Sequence, residues 1–192
     1  MRYYLRYIII ALIALVFFIF GVRFVWRLFT KPVNTSRIPN QKLIDYVAQD
    51  SYVRVTIRGI VNSQEKHRVI RITVSKDQRS IDILQGYQSH LLRNQTLGNN
   101  QPAYETFLSA LQRQNYLATR NPNQENSTGA CSLGNIYTFE LINKGQQVMS
   151  SWSGTCNAVG TFAGNTANSL TLFQRQIPDY SIYTRDVSLN SP

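Results

Sequence analysis

Histidine and cysteine are nearly missing from this chain, which holds two of each in 192 residues: His67, His90, Cys131 and Cys156. A zinc site would have to draw on all four, with no closely spaced ligand pair to nucleate it, so no metal or other cofactor is expected. No G-x-S-x-G segment occurs, and Ser153 stands in a stretch that no motif joins to a histidine. Gly154, Gly160 and Gly164 lack the Lys-Ser/Thr ending of a phosphate loop and read as turn residues. Acidic residues are also few, ten against twenty Lys and Arg, and none precedes Asp45. They are dispersed along the chain, and nothing singles out a pair for glycoside hydrolysis. Zinc-finger and helix-turn-helix signatures are absent, as is the compact basic-aromatic pattern of an RNA-binding sheet, so nucleic acid is not an expected partner. Catalysis would need residues assembled from distant positions, such as Cys156 with His67 or His90.

What the chain has is an uncharged apolar run, Ile8 to Val22, between Arg2/Arg6 and Arg23/Arg27/Lys31. Fifteen residues rise about 23 Å as a helix, short of the roughly 30 Å hydrocarbon layer. Extending the segment from Tyr7 to Trp26 gives about 30 Å and adds one charge, Arg23, whose guanidinium can reach the headgroups from the end of the span. Tyr3, Tyr4, Tyr7 and Trp26 fall where amphipathic rings favour the interface. No small-x-small pair follows the run, so cleavage as a signal peptide is disfavoured. Residues 1–29 therefore read as a retained transmembrane anchor, in contact with membrane lipid. The flanking cations nearly balance and leave its orientation open.

Residues 30–41 hold Pro32, Pro39 and several Asn, Ser and Thr without apolar periodicity, and read as a linker. The remainder, 42–192, suits one domain. Leu43, Ile44 and Val47 offer a short helical face. Val53, Val55 and Ile57 alternate with Arg54, Thr56 and Arg58, and Ile70, Ile72 and Val74 with Arg71 and Thr73, which predicts two strands with one buried face. Ser80 to Gln85 predicts a third. Tyr104, Phe107, Leu108 and Leu111 recur at helical spacing after Pro102, predicting a helix to about Tyr116. The stretches 94–101 and 119–129 are rich in Asn, Gln and small polar residues, and the second reads as an exposed loop. Two more strands are expected over 136–142 and 146–152, joined by Asn143-Lys144-Gly145, and a last helix over 166–176 with Asn165 as its cap. The expected fold class is α+β: an antiparallel sheet covered by two main helices, behind an N-terminal transmembrane helix.

Cys131 and Cys156 fall just outside the two strands of the last hairpin, so a disulfide would clasp its open ends. That pairing implies an oxidising compartment and favours an extracytoplasmic domain, the alternative being two buried thiols in a reducing one. Charge adds a second asymmetry. Positions 37–93 carry ten Lys/Arg against five Asp/Glu, whereas 94–192 carry five of each. Arg54, Arg58 and Arg71 are expected on the polar face of the first hairpin, with Lys66, Arg68, Lys76 and Arg79 at its turns. They form the candidate contact for an anionic envelope component or a protein, and the competing reading is an ordinary solvated face.

An N-terminal apolar helix, a small α+β domain and a late cysteine pair together resemble type IV pilins in layout. The resemblance implies a minor structural subunit. It is limited by the missing acidic residue near the start of the apolar helix and by Gly21, which follows the run instead of preceding it. The expectation that best joins these readings is a single-pass, membrane-anchored binding or accessory domain. A pilin-like subunit and an envelope-associated hydrolase are the alternatives.

Overall fold

The computed structural model describes residues 41–120, 127, 130–156 and 158–189. The expected anchor, the linker before Gln41 and most of the polar loop 119–129 lie outside the described residues. Among the described residues no helix is long and apolar enough to cross a membrane.

The strands are β1 (Ser51–Arg58), β2 (Arg68–Ser75), β3 (Gln78–Gln85), β4 (His90–Gly98), β5 (Ile136–Asn143) and β6 (Gln146–Gly154). They form one antiparallel sheet in the order β4-β3-β2-β1-β5-β6. Between β4 and β5 runs helix α1 (Gln101–Arg113), which carries the chain from the outer edge back to the far side of β1. Helices α2 (Thr166–Gln174) and α3 (Tyr180–Tyr183) follow β6, and a 3-10 turn (Leu43–Tyr46) precedes β1.

Two-residue alternation directs one face of the sheet inward. Ile81, Ile72, Val55 and Phe139 stand in one cross-strand row, each with 0% of its surface exposed. Burial of a side chain of this size contributes about 1.5–3 kcal/mol. The helices lie on this face: α1 buries Tyr104, Phe107, Leu108 and Leu111, and α2 buries Phe173, which meets Phe107 edge to face at 5.2 Å. Both helices begin as their sequences suggest. The Asn100 side chain accepts a hydrogen bond from the Ala103 amide at 2.9 Å, and that of Asn165 from the Asn168 amide at 3.0 Å, satisfying otherwise unpaired first-turn donors. Helix α1 stops at Arg113, before the expected Tyr116, because Asn115 adopts a left-handed φ of 57°. Tyr116 thereby turns into the core.

Strand β4 runs into the polar stretch 94–101, where the sequence predicts no strand. It has one hydrogen-bonded neighbour, β3, and needs no apolar face, so Asn94, Gln95 and Thr96 fit an edge strand without periodic hydrophobicity. The other edge is partly closed. Phe162 donates its amide to the Trp152 carbonyl at 2.9 Å, and Thr161 Oγ1 accepts from the Trp152 amide at 3.0 Å. Any side chain at Gly160 would collide with that carbonyl. The β5–β6 turn places Lys144 at φ 50° and Gly145 at φ 74°, the paired left-handed conformations of a tight two-residue hairpin.

Candidate binding face

Opposite the helices, the second face of the sheet carries Arg54, Arg58 and Arg71. Arg54 and Arg58 alternate with the buried residues of β1, and Arg71 pairs with Thr56, which lies between them. Register also supplies their counter-ions. Glu140 on β5 stands opposite Arg54, with its Oε2 3.8 Å from the guanidinium, and Asp82 on β3 stands opposite Arg71. Three arginines thus face two carboxylates on this side of the sheet. Arg58 is the exception. Its cross-strand neighbours are Val69 and Ile136, and it is exposed.

The turn cations diverge. Arg68 donates to the Glu65 and His67 carbonyls, while Arg79, in register with Val74 and Leu97, belongs to the helix-covered face. Tyr52 does not offer a free ring: the Arg54 guanidinium lies 5.1 Å from its centroid and donates to its hydroxyl at 3.3 Å.

The core holds this face in place through a residue that sequence reading missed. The Tyr116 hydroxyl lies 3.2 Å from the Arg54 carbonyl and 3.0 Å from the Glu140 carbonyl, the backbone of the outward-facing ion pair. Burial, with the nearby Glu140 charge, pushes the Tyr116 pKa well above the usual tyrosine value. Its ring meets Phe139 and Phe162 edge to face at 5.8 and 6.2 Å. Tyr116 stands at the expected end of the helix but off the 104/107/108/111 spacing, so it offered no periodic signal.

Toward the β2–β3 turn, a groove of about 420 Å³ opens, lined by Tyr52, Arg54, Thr73, Ser75, Lys76 and Ser80, with Asp50 and Asp77 contributing carboxylates. Its hydroxyls come from polar strand positions that alternate with core residues, so they read in sequence only as a wet face.

The reactive residue types are placed elsewhere. Cys131 and Cys156 form a disulfide across the open ends of β5 and β6, with their Cα atoms 5.8 Å apart, so neither is a free thiol and a Cys156–His pair is excluded. His67 is buried, with Nδ1 3.1 Å from the Ile60 carbonyl and its ring stacked on Tyr87 at 4.3 Å. The Tyr87 hydroxyl donates to the Asn62 carbonyl at 2.8 Å, so this ring too is engaged. His90 starts β4. Among the described residues no three His, Cys, Asp or Glu side chains converge as a metal-binding group. No protein-family model matches the chain, and no curated protein matches it either.

Proposed function

We propose that this chain is a single-pass membrane protein whose α+β domain faces an oxidising, extracytoplasmic compartment and acts there as a binding or accessory module. The observation that supports the outward orientation is the Cys131–Cys156 clasp on the β5–β6 hairpin. The apolar segment from Tyr7 to Trp26 supports the tether. A tether confines the domain near a surface, where a weak contact gains effective concentration. The face opposite the described helices supports the contact itself: it presents Arg54, Arg58 and Arg71 without using them in the core, and Arg58 has no carboxylate opposite it on the neighbouring strands. Its partner in this reading is a protein or an anionic envelope component.

Labelling intact cells with a membrane-impermeant thiol reagent tests the orientation. Surface labelling of Cys131 and Cys156 that appears only after reduction is the expected result. Labelling without reduction would remove the bridge. Labelling only after the membrane is opened would place the domain on the other side.

A further inference from the structure

The two edges of the sheet are finished differently. Along β6, the Phe162 amide and the Thr161 hydroxyl already occupy the Trp152 backbone groups that another strand would need. Along β4 the outer groups are open. The Asn99 amide donates to the Asp77 carbonyl at 2.9 Å, which makes these two a hydrogen-bonded pair at the end of the β3–β4 ladder. Such pairs alternate in an antiparallel ladder, so Arg93, Gln95 and Leu97 bond to β3 while Asn94 and Thr96 point their N–H and C=O groups outward. Among the described residues no backbone hydrogen bond reaches those outward groups. Arg93 fastens the strand from the covered face, donating to the Tyr183 carbonyl at 2.9 Å and to Asp186 at 2.6 Å. That hold uses a side chain, so it steadies β4 and leaves its backbone edge free. Lysine, proline or a bulge commonly guards such an edge. Strand β4 has no lysine and no proline, and its bulge, opposite Ile83 and Leu84, is confined to its first residues, where Leu91 and Leu92 are 52% and 47% exposed.

Going beyond the role proposed for the arginine face, we infer that β4 pairs antiparallel with β4 of a second copy of this chain. The two-fold axis falls within Asn94–Thr96 and joins two six-stranded sheets into one continuous sheet. Charge selects this occupant. Arg93 is the only charged side chain on β4 and is already held by Asp186, so two copies meet here without unpaired like charges, although each carries a formal net charge of +10. An acidic or basic segment of another protein would find no free charge to read, whereas Asn94, Gln95 and Thr96 match their own kind, amide to amide and hydroxyl to hydroxyl. Closure supports the same choice. A symmetric β4–β4 pair uses up both open edges and stops at two copies, while β4 added to β6 of a next copy would propagate and is opposed by the Thr161 and Phe162 bonds to Trp152. A two-fold axis perpendicular to the sheet keeps its faces. Both helix layers then lie on one side, and Arg54, Arg58 and Arg71 of both copies lie on the other, where a partner meets two arginine faces at once.

Analytical ultracentrifugation of the full chain in uncharged detergent, over a range of protein concentrations, tests this interface. A reversible monomer–dimer equilibrium is expected. Thr96→Pro removes an outward amide that β3 does not use, twice per dimer by symmetry, and should weaken association roughly tenfold or more. Thr96→Lys should also weaken it, by setting two ammonium groups near the axis, and serves if thermal unfolding shows that the proline variant is not folded. Gln147→Lys, on β6, should leave association unchanged. Single cysteines report the register, because both native cysteines are already bridged. Under mild oxidation at least one of Asn94→Cys, Gln95→Cys and Thr96→Cys should give a covalent dimer, and Gln147→Cys should not. Self-association lost in the two Thr96 variants, with cross-linking confined to β4, supports the pairing. A chain that stays monomeric, a dimer that both Thr96 variants leave unchanged, or equal cross-linking through Gln147→Cys overturns it.

Discussion

The two faces of the sheet are built from alternate residues of the same strands and follow opposite rules. On the covered face, Val55, Ile72, Ile81 and Phe139 form a dry row with no exposure, closed by Tyr104, Phe107 and Phe173. One step along each strand, the open face carries Arg54, Thr73 and Ser80 in one row and Arg71, Thr56 and Asp82 in the next. The contrast separates stability from recognition. Removing a core group leaves a cavity, whereas an exposed polar group exchanges protein contacts for water at little net change. The open face also buries Val69, Leu84, Ile142 and Trp152, so it is its arginine-bearing part that contributes little to folding and can be specified by what it contacts. Tyr116 links the two, since its ring belongs to the core while its hydroxyl meets the carbonyls of Arg54 and Glu140.

The sharpest break in this contrast comes from Phe139→Ala, expected to lower unfolding free energy by about 3–5 kcal/mol in urea titrations. Arg58→Gln, on the same sheet but the open face, should change it by less than about 0.5 kcal/mol. Replacing both cysteines with alanine should cost about 3 kcal/mol, since the bridge closes a 25-residue separation. The loss should appear in the same titration and should match that caused by reducing the native protein. Asn100→Ala removes the side-chain cap of α1 and should cost about 1 kcal/mol.

Alkaline unfolding probes the covered face through its tyrosines. Burial pushes the Tyr104 pKa up to about 12, despite its hydrogen bond with Ser51, and burial also holds the Tyr116 pKa well above the ordinary tyrosine value. A raised folded-state pKa favours the neutral phenol in the folded state. Its contribution is complete below the unfolded value near 10 and is lost as pH climbs from there toward 12. Stability measured by chemical denaturation should therefore be level approaching pH 10 and fall above it. Tyr104→Phe should flatten part of that fall.

Much of the covered face was legible in the sequence, because alternation at Val53, Val55 and Ile57 and helical spacing at Tyr104, Phe107, Leu108 and Leu111 are themselves the consequence of burying one side. The disulfide was legible for a related reason: two cysteines flanking one hairpin must come close when its strands pair. The edge strand β4 was not, since one-sided pairing relaxes the demand for an apolar stripe. The open face was only half legible. Alternation identifies Arg54, Arg58 and Arg71 as sharing a side, but Glu140 lies 86 residues from Arg54 and becomes its neighbour only through β1–β5 pairing. Thr73 and Ser80 acquire meaning in the same way, from cross-strand register.

The measurement that tests the account most directly pairs unfolding with binding in one variant. Arg54→Gln, Arg58→Gln and Arg71→Gln are introduced together in the full chain, whose thermal midpoint and retention by anionic vesicles or polymer are measured over a series of salt concentrations. The account predicts a cooperative transition close to that of the parent, together with loss of salt-dependent retention. Unchanged retention, or collapse of the fold, would contradict the division of this sheet into a face that holds the domain together and a face that makes contact.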